Sequence, residues 1–287
     1  MVCYPEKREI NDANDFIFYN TNGDGMTNEK YLNFLLMVGG GSKYQDILNQ
    51  ATADGVTLPS EEQQSNQRTL FGSLVSIGVM DKFDAFWCFA NDGSSDFATY
   101  NWKNPSTFKA DVTTSPTFTS DIGFNGNGTS SYVDLNIDPT DSSVTKYTRD
   151  DASFGVYSWD DIDTAANNYP ISQETRIRIF QNSASGNNRI NSAAPTTTTA
   201  ISTSGTGLIG LTRGDASEFY GLSSDGNYSS AMAADSVIVN QTGNFVLNKF
   251  DTTFKSGRIG MAWVGGHLTA TEWSNFVTAV NTYINTL

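Results

Sequence analysis

The sequence predicts a mainly β protein: an antiparallel β-sandwich that short helices precede and a C-terminal helix closes. Beyond Asp81 the apolar residues recur with a period of two, which is the spacing of half-buried strands. Turn dipeptides such as Asp92-Gly93 and Asn125-Gly126 separate these runs. Threonine, serine and asparagine are abundant, whereas the surplus of alanine, leucine, glutamate and lysine that is typical of helical bundles is missing.

Residues 1–42 are predicted to form a leader that anchors or oligomerises the protein. The segment is polar as far as Asp15, and it ends in the glycine run 39–41, which indicates a hinge or a helix stop. Leu32, Leu35 and Leu36 are spaced for one face of a helix, and a strand is the competing interpretation of this short stretch.

Residues 43–82 are predicted to form a helical segment that leads into the sandwich. A first helix ends at Gly55, and its apolar face is formed by Tyr44, Ile47, Leu48 and Ala51. A second helix begins after Ser60, because Gln63 three residues later completes the pattern of a capping box. Apolar residues then repeat at helical spacing until Gly78.

The sandwich itself is assigned to residues 83–287. The run from Phe83 to Ala90 is almost continuously apolar, as in a strand that is buried on both faces. Period-two alternation predicts half-buried strands around residues 133–137, 177–179, 237–239 and 259–263. The threonine-rich stretch from residue 195 to 207 is predicted to be a long exposed loop. Thr269 and Glu272 then form a capping box, which begins a C-terminal helix with one apolar stripe.

Charge and cysteine content exclude several classes of function. The chain carries 31 acidic and 17 basic residues, a net charge of −14, and therefore lacks the cationic surface that neutralises nucleic-acid phosphates. Cys3 and Cys88 specify neither a disulfide framework nor a zinc site. No stretch of about 18 apolar residues and no export signal are present, so we expect a protein made in a cytoplasm with no membrane partner.

Several segments resemble concanavalin A-like jelly-roll domains of the laminin-G-like type. They are RIGMAWVGGHLTATE (258–272), FDAFWCFANDG (83–93), NWKNP (101–105), FTSDIGFNGNGTSSYVDL (118–135) and SFGVYSW (153–159). The arrangement is similar to the version found in bacteriophage tail and other virion proteins, in which a helix with a Pro-Ser start, as at residues 59–60, precedes the first strand. The resemblance covers roughly residues 44–287, and it implies a jelly-roll sandwich in a virion protein.

Two tryptophans are candidate glycan-binding residues. An aromatic ring can stack on the apolar face of a sugar, and five tryptophans are present. Periodicity places Trp87, Trp263 and Trp273 in the core. Trp102, beside a proline turn, and Trp159, out of phase with its strand, are the candidate exposed stackers, with packing in the core or an interface as the alternative.

Two clusters of side chains with carboxylate or amide oxygens are candidate calcium ligands. A turn is the alternative for each: a hairpin turn for the first and a solvated turn for the second. Asn20, Asn22 and Asp24 imitate the first half of an EF-hand loop, but Tyr31 stands where the bidentate glutamate is needed. Asp160, Asp161 and Asp163 follow a predicted strand. No metal or other cofactor is predicted.

No catalytic residue is predicted. Sandwich glycosidases of this fold usually carry a Glu-x-Asp-x-x-Glu pattern, and no such pattern occurs here. His267 is the sole histidine and is interpreted as a turn residue, not as part of a triad. Arg213-Gly214-Asp215 is likewise interpreted as a turn.

The leading hypothesis is therefore a bacteriophage virion structural protein, a tail or head fibre or appendage component, located in the virion. Its sandwich would contact other virion proteins or a host-surface polysaccharide, and by analogy we expect a homo-oligomer, with a trimer as the guess. A free carbohydrate-binding lectin is the first alternative, and a glycan-degrading enzyme is the second.

Overall fold

The computed structural model describes residues 18–19, 25–26, 43–160, 169–173, 177–179, 186–192, 196–198, 206–239 and 242–287. The predicted leader lies outside these ranges except for the pairs 18–19 and 25–26, so its role stays a prediction. In chain order the helices are α1 (43–53), α2 (Glu61–Ser76), α3 (Val79–Lys82), α4 (Ser95–Ala98) and α5 (Ala270–Ile284). The strands are β1 (Phe18–Tyr19), β2 (Gly25–Met26), β3 (Phe83–Cys88), β4 (Asp111–Thr113), β5 (Thr117–Thr119), β6 (Gly123–Asn125), β7 (Tyr132–Asp134), β8 (Ala152–Ser158), β9 (Ile171–Gln173), β10 (Ile177–Arg178), β11 (Gly186–Asn188), β12 (Thr196–Thr198), β13 (Gly207–Arg213), β14 (Glu218–Leu222), β15 (Met232–Ala233), β16 (Val246–Leu247), β17 (Lys249–Phe250), β18 (Thr253–Phe254) and β19 (Arg258–Gly265).

Two antiparallel sheets form the sandwich, which confirms the predicted fold class. The larger sheet has the order β15-β14-β13-β8-β19-β6-β5, and β3 pairs with β19 on the side that β6 also occupies. The smaller sheet has the order β10-β9-β16-β7-β4. The chain passes repeatedly from one sheet to the other, as in a jelly roll, so each sheet is built from strands that are distant in sequence.

The larger sheet is covered on both faces, which gives the molecule three layers. Alternate residues of β3 serve the two faces: Ala85 and Trp87 pack between the sheets, whereas Phe86 and Cys88 pack against the helices. Because both faces are buried, the strand needs apolar residues at almost every position, and its uniform burial confirms the prediction for this run.

The helices pack on the larger sheet through the apolar faces predicted for them. The four predicted face residues of α1 are buried. In α5, Trp273, Phe276 and Val280 are buried, and the ring centroid of Phe276 lies 5.2 Å from that of Trp263 on β19. The capping box of α5 is present, with Thr269 and Glu272 bonded reciprocally. The apolar stripe therefore fixes α5 on the sheet.

The capping box predicted for α2 is only half formed. Ser60 Oγ accepts a hydrogen bond from Gln63 N at 3.2 Å, as predicted. The Gln63 side chain, however, is buried and donates to Tyr283 Oη of α5 at 2.8 Å. The backbone N–H of Ser60 is satisfied instead by Asp92 Oδ1, at 3.0 Å. A tertiary contact thus replaces the local one.

One strand assignment and one loop assignment from the sequence are wrong. Residues 237–239 form no strand, and Ile238 is 67% exposed, because the edge strand that pairs with β14 is β15, a few residues earlier. Conversely, residues 196–198, predicted as loop, pair as β12 with β11. Short apolar alternation and threonine-rich composition both leave the choice between strand and loop to tertiary pairing.

Candidate functional site

The outer face of the smaller sheet presents a row of mostly polar side chains in register. The pairing places Arg178, Ser172, Val246, Asp134 and Asp111 opposite one another across all five strands. Their chain neighbours point inward, since successive residues of a strand face opposite sides. Sequence patterning alone therefore makes this face polar, and no helix covers it in the described part of the chain.

A cavity of about 620 Å³ lies on this face. Its lining combines polar and charged side chains with two apolar ones: Asp134, Ser172, Asn244, Val246, Lys249, Phe250 and Asp251. We call this the sheet-face cavity. A few convergent polar groups beside an apolar surface are the usual composition of a small-ligand site.

The β17–β18 hairpin forms one wall of the sheet-face cavity, and Asn248 fixes its position. Asn248 adopts a left-handed conformation with φ 58°, which asparagine tolerates better than most residues. Its Nδ2 donates to Gly257 O at 2.7 Å, and its backbone N donates to Pro170 O at 3.2 Å. Ser172 Oγ donates to Lys249 O at 2.5 Å, which joins the hairpin to β9.

Half-buried aromatic rings and two cations flank this wall. Phe250 stacks on Tyr169 with the ring centroids 4.7 Å apart and an interplanar angle of 17°. The guanidinium of Arg178 lies 4.7 Å from the Phe250 ring, and Lys249 Nζ lies 4.3 Å from the Tyr132 ring. Burial raises the pKa of Tyr169 in spite of Arg178, so its hydroxyl stays protonated at neutral pH.

Asp134 presents an accepting oxygen to the cavity. Its Oδ1 accepts a hydrogen bond from the backbone N of Asn136 at 2.9 Å, which orients the carboxylate. Its Oδ2 accepts none from the residues that the structure describes. A carboxylate held in this way can accept a hydrogen bond from a ligand hydroxyl.

The expectation of an exposed Trp102 is wrong. Trp102 is 1% exposed, and its ring packs among Tyr44, Phe71 and Phe86, with centroids 5.6 to 6.2 Å away. The helices that cover the larger sheet bury it, and the sequence near its proline turn carries no sign of them. A ring in this environment cannot stack on a sugar.

Trp159 is half-buried at the end of β8 and does not line the sheet-face cavity. Its indole stands edge-on to Tyr157, with the centroids 5.0 Å apart, and its Nε1 donates to Ile122 O at 2.8 Å. The polar edge of the ring is thus already satisfied. Binding by Trp159 stays a prediction.

The candidate calcium clusters gain no support from the geometry of the described residues. Asp160 pairs with Arg258, with 2.6 Å between Oδ1 and Nη2, and its Oδ2 accepts the Arg258 backbone N at 2.7 Å. Burial would raise the pKa of Asp160, but the hydrogen bonds and charge of Arg258 outweigh it and hold the pKa below its usual value. Asp161, Asp163 and residues 20–24 lie outside the described residues, within which no group of three metal-ligating side chains occurs.

His267 and Arg213 both have structural partners. His267 Nδ1 lies 3.0 Å from Thr212 Oγ1, and burial, together with Lys82, lowers the pKa of the histidine. Arg213 is buried, and its guanidinium donates to three backbone carbonyls. The Arg-Gly-Asp motif therefore cannot present its arginine to a partner.

Sequence patterning predicted no residue of the sheet-face cavity as a site, although it indicated the direction of one of them. Asp134 alternates with buried residues of β7, so its outward direction was predictable. Lys249, Phe250 and Asp251 carried no comparable signal, because they belong to a two-residue strand and its turn. The one local signal for these residues is the mixture of charged and aromatic side chains in residues 249–254, KFDTTF.

Comparisons with known proteins give distant likenesses of fold. No family model matches the chain, and no curated protein matches it. Among solved structures, Trypanosoma rangeli sialidase in complex with 2,3-difluorosialic acid matches 77% of this chain and 39% of its own, with a TM-score of 0.47 and 11% identity. Domain 4 of AbnA, a GH43 extracellular arabinanase from Geobacillus stearothermophilus, in complex with arabinotriose, matches 68% of this chain and 98% of its own, with a TM-score of 0.43 and 12% identity.

A third likeness is to the botulinum neurotoxin serotype D ligand binding domain in complex with N-acetylneuraminic acid. It matches 70% of this chain and 51% of its own, with a TM-score of 0.39 and 10% identity. The chain thus spans well under two thirds of the sialidase and of the toxin domain. At these TM-scores the likenesses carry no functional argument. Among the described helices, none combines the length and apolar character needed to cross a bilayer.

Proposed function

We propose that this chain binds a neutral glycan through the sheet-face cavity and does so as a structural component of a bacteriophage virion. The observation that carries the glycan proposal is the composition of that cavity: the apolar surface of Phe250 and Val246 beside two carboxylates, an amide and a lysine. Sugar rings have an apolar face and an edge of hydroxyls, and these groups match both.

The charges of the cavity favour a neutral ligand. Asp134 and Asp251 line the cavity with two negative charges and Lys249 with one positive charge. In the row beside it, Arg178 and Asp111 add one charge of each sign, so the balance stays negative. The nearby ring of Tyr132 attracts Lys249 Nζ and holds it at 4.3 Å. A carboxylated sugar would meet net repulsion here, whereas hydroxyls can donate to the two aspartates and accept from the lysine.

We propose binding without cleavage. Glycosidases need two carboxylates on either side of the scissile bond, and Asp134 and Asp251 are the pair of this cavity that would have to serve. Neither was nominated by the sequence. Release of reducing ends from a bound glycan, abolished by Asp134→Asn or Asp251→Asn, would replace the binding proposal with the enzymatic alternative.

The glycan proposal is tested on a glycan array followed by calorimetry with the ligands found. Phe250→Ala and Asp134→Ala should each weaken binding at least about tenfold, because the first removes part of the apolar wall of the cavity and the second removes a charge-assisted hydrogen bond. Asp111→Asn is the matched control, since it lies in the same row one strand away but does not line the cavity. Saturable binding that survives both test variants would refute this assignment of the site.

The virion setting is supported by the resemblance of the jelly-roll segments to phage tail and head proteins. In that setting the sandwich also contacts other virion proteins, and the chain forms a homo-oligomer, which by analogy we expect to be a trimer. Mass spectrometry of purified particles should detect the chain in stoichiometric amounts. Its absence from particles, with glycan binding intact, would favour the alternative of a free lectin.

A further inference from the structure

A second and larger cleft, of about 860 Å³, lies on a different part of the molecule. The exposed face of α1 forms one wall, and the loops 102–108 and 143–146 form the others. Most of the lining residues are polar, among them Asp46, Asn49, Gln50, Asn104, Ser106 and Thr107, together with three lysines. We call this the lysine cleft.

The loop 143–146 is held rigidly by a buried carboxylate. Asp84 is 8% exposed, and its Oδ1 accepts the backbone N–H groups of Thr145 and Lys146 at 2.8 and 2.9 Å. Its Oδ2 accepts that of Tyr147 at 2.7 Å. Three charge-assisted hydrogen bonds therefore hold the loop on Asp84, whose negative charge remains beside the cleft.

The loop 102–108 is anchored in a similar way. Asn101 Oδ1 accepts from the backbone N of Phe86 and from that of Lys103, at 3.1 and 3.0 Å. Lys103 Nζ donates to Met80 O at 2.6 Å. Trp102 also lines the cleft, and its Nε1 has no hydrogen-bond partner in the described part of the chain. Both walls are thus formed in advance of any ligand, which lowers the entropic cost of binding.

The lysines give the cleft a positive character that the chain as a whole lacks. The net charge of the chain is −14, yet Lys43, Lys103 and Lys146 line this one cleft. Lys43 and Lys146 make no salt bridge with the described residues. Lys103 Nζ lies 3.5 Å from Asp81 Oδ1. Of the lining residues, Asp46 and Asp84 oppose the three lysines, which leaves the lining with a net charge of +1. A locally positive cleft on an acidic protein concentrates and orients anionic ligands.

We infer that the lysine cleft binds a carboxylate-bearing sugar, such as a uronic acid residue of a polysaccharide. Lys43 and Lys146 contact the carboxylate, and the amides and hydroxyls of α1 and the two loops contact the sugar hydroxyls. This site has the opposite preference to the sheet-face cavity and does not depend on it.

The test compares an oligogalacturonate with its fully methyl-esterified form by calorimetry at low salt, in an Asp134→Ala background that weakens neutral-glycan binding at the sheet-face cavity. The acid should bind at least about fivefold more tightly, and added salt should remove the difference, because exposed lysine contacts are screened. The double variant Lys43→Gln/Lys146→Gln should bind acid and ester equally. Lys255 lines neither cavity. The control variant Lys255→Gln removes one positive charge, as each of the test substitutions does, and should keep the preference for the acid.

Equal binding of acid and ester by the Asp134→Ala protein, or a preference for the acid that survives when the two lysines are also replaced, would overturn the inference. The two lysine substitutions are on the surface, so an unchanged melting temperature verifies that the fold is intact. Asp134→Ala separates this inference from the proposed function, since it should weaken neutral-glycan binding and leave the acid preference intact.

Discussion

Gly155 on β8 lies where a side chain has no room, and Gly155→Ala should strongly destabilise the fold. An added Cβ would lie 2.2 Å from Cη2 of Trp263 and 2.2 Å from the backbone O of Ile209. Carbon atoms in contact are separated by about 3.5–4.0 Å, so both atoms would have to move by more than an ångström. The carbonyl belongs to β13, which pairs with β8, and cannot move without opening that ladder.

Trp263 cannot move freely either. It is fully buried, with ring centroids 5.2 Å from Phe276 and 5.6 Å from Trp273. Overpacking of a dense core costs about 1–3 kcal/mol and occasionally more, and with two rigid obstacles we expect about 3 kcal/mol or above. For a chain of this size that corresponds to a fall of about 6–12 °C in melting temperature.

The matched control is Gly72→Ala in α2. An added Cβ there meets nothing within 4 Å, so the change should stabilise the protein by about 0.5–1 kcal/mol through helix propensity. Unfolding by urea and by heat, followed by circular dichroism, measures both variants. Trp263→Phe combined with Gly155→Ala should lose less than the sum of the single changes, because the smaller ring frees space. An unchanged melting temperature for Gly155→Ala, or strict additivity, would refute the reasoning.

Two further predictions concern titratable groups. Burial raises the pKa of the Cys88 thiol to about 12. In a Cys3→Ser protein at pH 8, iodoacetamide should therefore label Cys88 only when the protein unfolds. A labelling rate equal to that of the denatured chain would contradict this. Burial raises the pKa of Glu272, but Lys82 and Thr269 outweigh it and hold the value below 4.5. A carboxyl group whose pKa is lower in the folded state than in the unfolded state stabilises the fold at pH values above the unfolded pKa. The free energy of unfolding of the wild type should therefore exceed that of Glu272→Gln by roughly 1 kcal/mol near neutral pH. This difference should vanish as the pH falls below about 4. Denaturation at pH 7 and pH 3 measures it, and a constant difference would contradict the reasoning.

The sequence by itself determined the elements whose signals are local. Period-two alternation placed Val133 and Asp134 on opposite faces of β7, and the doubly apolar run predicted that β3 is buried on both sides. The pair Thr269 and Glu272 determined where α5 begins, because a capping box is formed within four residues. These signals were sufficient for the fold class.

Only the tertiary structure determined which residues from distant parts of the chain contact one another. Trp102 is buried by helices from other parts of the chain, and Gln63 turns from its own cap to Tyr283. The sheet-face cavity joins Asp134 to Lys249 and its neighbours, because β16 inserts between β7 and β9 and the hairpin follows it. The order of strands in a sheet depends on pairing between segments that are distant in sequence. Because the alternation within each strand is the same whatever strand it pairs with, the sequence did not reveal which residues would meet at the site.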